Sequence, residues 1–463
     1  MSPLVLGVFQ YMLPNGFSGQ SWKHPDNRGV DYLTLDHWLG LARKFEDAKL
    51  DFLFFADSYG YPTVDGRIPD VAFRDAMNFP NADPMLVITA LAAATEKLGF
   101  AVTASTVFEE PVANARRFST LDHFTGGRIG WNIVTGSSQA AAAELFGREM
   151  IAHDDRYDRA DDYLDLSLKL WESTWEPGAV RADKEAGVYV DPARVHPLVH
   201  QGPYHRSTGM HVVEPSPQRS PVLFQAGSSG RGRTYAARNA ECVFVQGTTV
   251  EAVAATVADI RSQAVGFGRD PDGIKILVGM TVLTAPTHDE AIAKRAEMWA
   301  MSSAEGAAAV YAGNTGINLL ELDPTRGLSQ IEVSGEQGQS NIDRFRGADG
   351  RAEPTVGAIL DEIRKRGLRG GIMAGAPSEV VDEMQDYVAR TGVDGFLLEP
   401  HLTPGTYDDF IDLVLPVMRE RGLARTEYQG DTLREHLFGA GQRWLGSGHP
   451  GAAYRAGMVP QGA

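Results

Sequence analysis

The stretch Ile129-Gly130-Trp131-Asn132-Ile133-Val134-Thr135 is short, nearly all apolar, and closed by the turn residues Gly136-Ser137-Ser138. It lacks the alternation of a half-exposed strand, so it reads as a strand covered on both faces, as in a parallel sheet. Working outward, runs of the same kind occur at Leu4 to Phe9, Phe52 to Asp57 and Leu98 to Thr106 before it. Others follow at Val222 to Gly227, Cys242 to Gly247, Ile274 to Leu283 and Gly395 to Glu399. Between them lie amphipathic helical patterns at Leu35 to Lys49, Pro84 to Lys97, Ala113 to Phe124, Arg159 to Trp171, Thr249 to Phe267 and Ser378 to Thr391. Eight such βα units close a (β/α)8 TIM barrel, with an open doubly wound sheet as the structural alternative.

Gly, Pro and polar residues interrupt the rhythm near 15–31, 58–83, 175–217 and 314–354, which reads as one α/β barrel over 1–440 with insertion segments. Long loops in a compact domain are usually functional or mobile, and the 314–354 segment has the composition either of a ligand-ordered lid or of a disordered insertion. The Gly- and Pro-containing stretch 441–463 predicts a weakly ordered tail.

The 463 residues are 43% hydrophobic and 22% charged, the balance of a soluble protein with a sizeable core. A formal charge of −17 repels phosphate backbones and anionic membranes, and no sizeable basic patch offsets it, so neither nucleic acid nor membrane is expected as a partner. The single cysteine, Cys242, rules out an internal disulfide framework and sits in an apolar run, where it reads as a core thiol. The N-terminal residues lack a signal-peptide pattern and no apolar run spans a bilayer, so a cytoplasmic address is expected.

Barrel active sites gather at the carboxyl ends of the strands. Polar residues occur there: Asp57-Ser58-Tyr59 after the second strand, Thr103, Ser105 and Thr106 on the third, Asn132 to Ser138 at the end of the fourth, and Gly227-Ser228-Ser229-Gly230 after the fifth. Small residues opening a helix expose N–H groups to an anion, though they are more often simple helix caps. A second helix start, His153-Asp154-Asp155-Arg156-Tyr157, adds a cation and a phenol that can donate to phosphate oxygens. Asp155 and Arg159 stand at i, i+4 and also fit a surface ion-pair ladder. No metal-ligand spacing, no Gly-x-Ser-x-Gly elbow, and no Gly-x-Gly-x-x-Gly after the first strand are present, which argues against a metal site, a serine nucleophile and direct nicotinamide binding.

Three runs carry a resemblance: Trp131-Asn132-Ile133-Val134-Thr135; His153-Asp154-Asp155-Arg156-Tyr157 leading to Lys169-Leu170-Trp171; and Phe224-Gln225-Ala226-Gly227-Ser228-Ser229. With Thr103-Ala104-Ser105-Thr106, Ala115 to His123 and Gly392 to Phe396, they make the chain resemble the nitrilotriacetate, EDTA and dibenzothiophene-sulfone monooxygenases of the bacterial luciferase-like flavin group. The resemblance implies a two-component monooxygenase. FMN would arrive as FMNH2 from an NAD(P)H:flavin reductase and react with O2 to a flavin C4a-(hydro)peroxide that oxygenates a small organic substrate, often with C–N or C–S cleavage. It implies that Asp57 and Thr103 surround the isoalloxazine, that His153, Arg156 and Tyr157 meet the ribityl and phosphate end, and that Ser228 and Ser229 meet the phosphate. Ser137 is a further candidate for cofactor contact, but Gly136 stands where the family usually has a serine, leaving only backbone contact at 136. Phe9, Tyr59 and Phe79 are candidates to face the substrate, while Lys23, His24, Arg28 and Arg67 could receive a carboxylate or sulfonate. No residue is singled out as catalytic. Relatives of this kind are commonly homodimers or homotetramers. The alternatives are a deazaflavin (F420)-dependent oxidoreductase of the same fold group and a non-catalytic flavin-binding protein.

Overall fold

The computed structural model describes residues 3–15, 20–64, 66–136, 139–227, 229–247, 249–330, 339–346, 352–368 and 371–455. Eight parallel strands close into a barrel: β1 Val5–Gln10, β2 Phe52–Phe55, β3 Gly99–Ser105, β4 Ile129–Val134, β5 Val222–Gln225, β6 Cys242–Val245, β7 Lys275–Thr284 and β8 Gly395–Leu398. Each pairs with the next, and β8 returns to β1 with Val5 opposite Gly395, which closes the ring and excludes the open-sheet alternative. All eight expected strands are present because their residues are covered inside by barrel side chains and outside by helices, so each reads as an apolar run.

The interior is aromatic. Phe9 stacks on Phe54 at 5.5 Å between ring centroids, and Phe224 meets Phe52 edge-on at 5.1 Å. Cys242 is a buried member of this core. The outer layer includes α1 Leu35–Asp47, α2 Ile88–Ala93, α3 Pro111–Phe124, α4 His153–Ser173, α5 Gly230–Asn239 and α6 Val250–Gly266. It continues with α7 His288–Ala300, α8 Ala304–Thr315, α9 Val356–Arg366 and α10 Pro377–Thr391. Helix α4 begins at His153, six residues before the periodicity-based start at Arg159, because its first turn carries charged residues rather than an apolar stripe.

Four features go beyond the sequence-based expectation. A ninth strand, Gly371–Gly375, pairs parallel with the far end of β7, its pattern obscured by two glycines. The 175–217 insertion holds two short antiparallel hairpins, Val180–Asp183 with Val188–Val190 and Leu198–Gln201 with Arg206–Gly209. The described parts of 314–354 join α8 and α9 in a separate apolar cluster that includes Tyr311, Leu319, Leu328, Phe345 and Ile359. Residues 441–455 also dock: Leu445 is buried, His449 Nε2 lies 2.7 Å from the Asn239 carbonyl, and Arg455 Nε donates to Glu172 at 3.1 Å.

The amino end of the barrel is sealed by Leu433 and Leu437. Beside them the buried Arg434 donates to both oxygens of Glu241, at 2.7 and 3.0 Å, and to the carbonyls of Ser220 and Pro221. No helix among the described residues is long and apolar enough to cross a membrane.

Candidate active site

The carboxyl ends of β1 to β6 open into one cavity, which Asn314 and Asn341 of the insertion and Leu368 beyond it also line. Its two ends differ in charge. At one end the starts of α4 and α5 converge. Ala152, at the N-cap of α4, gives no side-chain cap, so the first-turn N–H groups of that helix have no side-chain acceptor from the cap. Arg156 and Tyr157, both buried, come from this first turn. The Tyr157 hydroxyl is held up in pKa by burial, against hydrogen bonds with Ser229, Thr135 and Gln225.

The approach of α5 to Tyr157 requires glycine. A Cβ at Gly227 would fall 2.3 Å from Gln225 Nε2 and 2.8 Å from the Tyr157 hydroxyl; at Gly232 it would fall 2.7 Å from that hydroxyl. Ser229 accepts from Gly232 N at 3.1 Å and so caps α5, while still lining the cavity. His153 lines it too, with Nδ1 2.8 Å from Asp154 Oδ1. Arg231 turns away to Asp158 and Asp161 at 2.9 and 2.5 Å, and Arg159 lies over the Tyr204 ring, so these two belong to the surface ion and ring contacts.

In the middle, β2, β3 and β4 build a fixed polar chain. Thr103 Oγ1 donates to the Phe55 carbonyl at 2.8 Å and accepts from Asn132 Nδ2 at 2.8 Å. Because the threonine proton goes to Phe55, the asparagine must present its nitrogen to Thr103. Its Oδ1 is then a buried acceptor with no donor among the described residues, a position that costs about 1–3 kcal/mol unless a ligand supplies an N–H. Gly136 follows at φ 89°, a left-handed conformation that glycine adopts without the Cβ penalty.

The opposite end is acidic. Asp57 Oδ1 accepts from Ser58 N at 2.8 Å, and burial, with added repulsion from Asp83 and Glu109, pushes its carboxyl up to about 6. Tyr59 donates to Glu109 at 2.6 Å, and Arg117 holds the other Glu109 oxygen at 3.2 Å. Burial and the Glu109 hydrogen bond raise the Tyr59 phenol well above its ordinary value.

Asp57, Thr103, His153, Arg156, Tyr157 and Ser229 thus lie around one cavity, as do Phe9 and Tyr59. Ser137 and Ser228 lie outside the described residues. Phe79 does not line this cavity: its ring packs on Tyr61 and Phe73. Lys23, His24, Arg28 and Arg67 are also absent from its lining; His24 faces Glu297 at 3.2 Å. The sequence placed Asn132 among the polar residues at a strand end without giving it a role, and did not single out Asp83 or Glu109. A polar residue inside the apolar run of β4 was a usable signal for Asn132; the two acids sit in loops and carried none.

A family model described as luciferase-like monooxygenase matches residues 9–395. The chain is 40% identical over 456 residues to a dimethyl-sulfide monooxygenase of Hyphomicrobium sulfonivorans, covering 98% of this chain and 94% of that one. It is 42% identical over 435 residues to a long-chain alkane monooxygenase of Geobacillus thermodenitrificans, covering 94% of each. A riboflavin lyase solved with modified FMN and its substrate riboflavin aligns with a TM-score of 0.93 at 43% identity, covering 98% of this chain and all of the other. With the barrel, the strand-end cavity and this similarity together, the chain belongs to the luciferase-like monooxygenase family and is a monooxygenase.

Proposed function

We propose that this monooxygenase binds FMN that a separate NAD(P)H:flavin reductase delivers as FMNH2, and uses O2 to oxygenate a small organic substrate. The observation that carries the reading is the close approach of the α5 start to the Tyr157 hydroxyl, which only the missing side chains of Gly227 and Gly232 allow and which sets that hydroxyl beside the first turn of α5. Two converging helix starts and the buried Arg156 make the adjoining end of the cavity favourable for a phosphate, through N–H donors, helix dipoles and a full positive charge.

Arg156, Tyr157, His153 and Ser229 would hold the phosphate and ribityl end, and Thr103, Asn132 and Asp57 would flank the ring. The donorless Asn132 Oδ1 would accept from an N–H of the ring. When bound in its reduced form, FMN supplies the electrons that activate O2 for transfer of one oxygen atom. The protein orients and shields: Thr103 locks the Asn132 amide, and the Phe9, Phe54 and Phe244 rings close the floor of the cavity against water. Asp57, titrating near pH 6, can hold or release a proton at its carboxyl in the range where the enzyme would work.

The test is a titration of the purified protein with FMN, followed by turnover with FMN, NADH, a generic flavin reductase and O2 on a panel of sulfides, sulfones, amines and alkanes. FMN binding with substrate-dependent product is the expected result. Preference for a deazaflavin over FMN, or FMN binding with no oxygenation across the panel, would overturn the reading.

A further inference from the structure

A second cavity adjoins the first. Tyr11, Asn314 and Leu368 line both, so these three side chains form the partition between them. The side chamber runs from Leu13, three residues past the end of β1, to α8 and α9 on either side of the insertion, with Met77 on one flank.

Most of its polar side chains are engaged with protein. Asn15 Nδ2 donates to the Asp75 and Ala76 carbonyls at 2.5 and 2.9 Å, and its Oδ1 accepts from Trp22 N at 2.9 Å. Gln10 donates to Thr403 at 3.3 Å, Asn314 to the Val310 carbonyl at 2.9 Å, and Ser303 caps α8 through Gly306 N at 3.0 Å. Arg364 donates to the Trp299 carbonyl and to Asp361 at 3.1 and 2.8 Å. What faces a guest is chiefly the apolar wall of Leu13, Met77, Ala307, Val310, Ile363 and Leu368. Among the described residues no carboxylate lines this chamber, whereas the main cavity beside it holds Asp57, Asp83 and Glu109, with the neighbouring Arg117 already paired to Glu109.

We propose that the side chamber receives the apolar limb of an uncharged substrate whose reacting end lies in the main cavity, where Asp57, Asp83 and Glu109 exclude an anionic head group. The inference rests on the monooxygenase reading for what happens at the reacting end, but binding in the chamber involves only this chain's residues. The partition places the limb and the reacting end on either side of Leu368, so the limb sets chain-length preference and the acids set charge preference.

Calorimetric titration of the protein, with and without FMN, with methyl alkyl sulfides from propyl to octyl tests this directly. Affinity should rise by about two- to fourfold per methylene until the chamber is full, from the transfer of each group out of water. The variants Val310→Phe and Ser302→Leu, which fill the chamber from different elements, should end that rise at a shorter chain while leaving FMN affinity unchanged. An alkanesulfonate of matched length should bind at least about tenfold more weakly, and Asp83→Asn should narrow the gap. Affinity independent of chain length, a rise unaffected by both filling variants, or equal binding of the sulfonate would overturn the proposal. Loss of FMN binding with the chain-length dependence intact would instead count against the flavin reading alone.

Discussion

Replacing Asp57 by asparagine should stabilise the folded protein at neutral pH and lose much of that advantage in acid. The Asp57 carboxyl titrates at about 6 in the folded chain against an ordinary value of 3.8, because burial and the neighbouring Asp83 and Glu109 disfavour its charge. A raised acid binds more protons folded than unfolded between those two values, so stability falls as pH rises through that window and the full cost is present above it. A rise of that size corresponds to about 3 kcal/mol, which solvent screening at this half-buried position reduces to about 2 kcal/mol. Asparagine removes the charge yet keeps an oxygen to accept from Ser58 N, as the carboxylate does. Urea unfolding of both proteins should therefore show the variant ahead by about 2 kcal/mol near about pH 7.5 and by about half that near about pH 5. A difference of the same size at both pH values, or a variant less stable at each, would refute the reasoning. Oxygenation should meanwhile drop, since the variant cannot exchange a proton at that position.

Three further outcomes follow from the geometry. Gly227→Val should lower FMN affinity by at least about a hundredfold in a fluorescence-quenching titration, since its Cβ alone enters the space between Gln225 and the Tyr157 hydroxyl. Tyr157→Phe keeps the ring and removes one donor, so the same titration should weaken by about tenfold, the worth of a hydrogen bond to a charged group. At the opposite end of the barrel, Glu241→Gln leaves the buried Arg434 without its bidentate carboxylate, and denaturant unfolding should show a loss of about 3–5 kcal/mol with FMN binding per folded molecule unchanged.

The barrel was readable because every one of its strands is covered on two sides, so burial imprinted itself on consecutive residues: Phe52–Phe55 and Cys242–Val245 contain no polar residue to confuse the pattern. The anion end was readable for a related reason. A helix start needs small or charged residues within one short segment, and both His153 to Tyr157 and Gly227 to Gly232 are local in sequence. Their meeting was not local. Tyr157 touches the Gly227 and Gly232 backbone only because β4 and β5 are neighbours in the ring.

What tertiary structure alone decided lies on the substrate side. Asp57, Asp83 and Glu109 come from three separate loops, and only folding places their charges within reach of one another. The side chamber joins Tyr11 and Leu13 to Asn314 and Leu368, some three hundred residues away, through an insertion whose composition had suggested only a lid or disorder. Phe79 was one candidate to face the substrate; its ring packs on Tyr61 and Phe73 outside the main cavity lining, because an aromatic residue in a polar loop announces burial without saying against what. Local periodicity therefore determined the eight barrel strands, and local runs of small and charged residues marked the two helix starts, while the ninth strand left no such pattern. Charge and shape around the substrate arise from side chains distant in sequence, and no local pattern records which of them will meet.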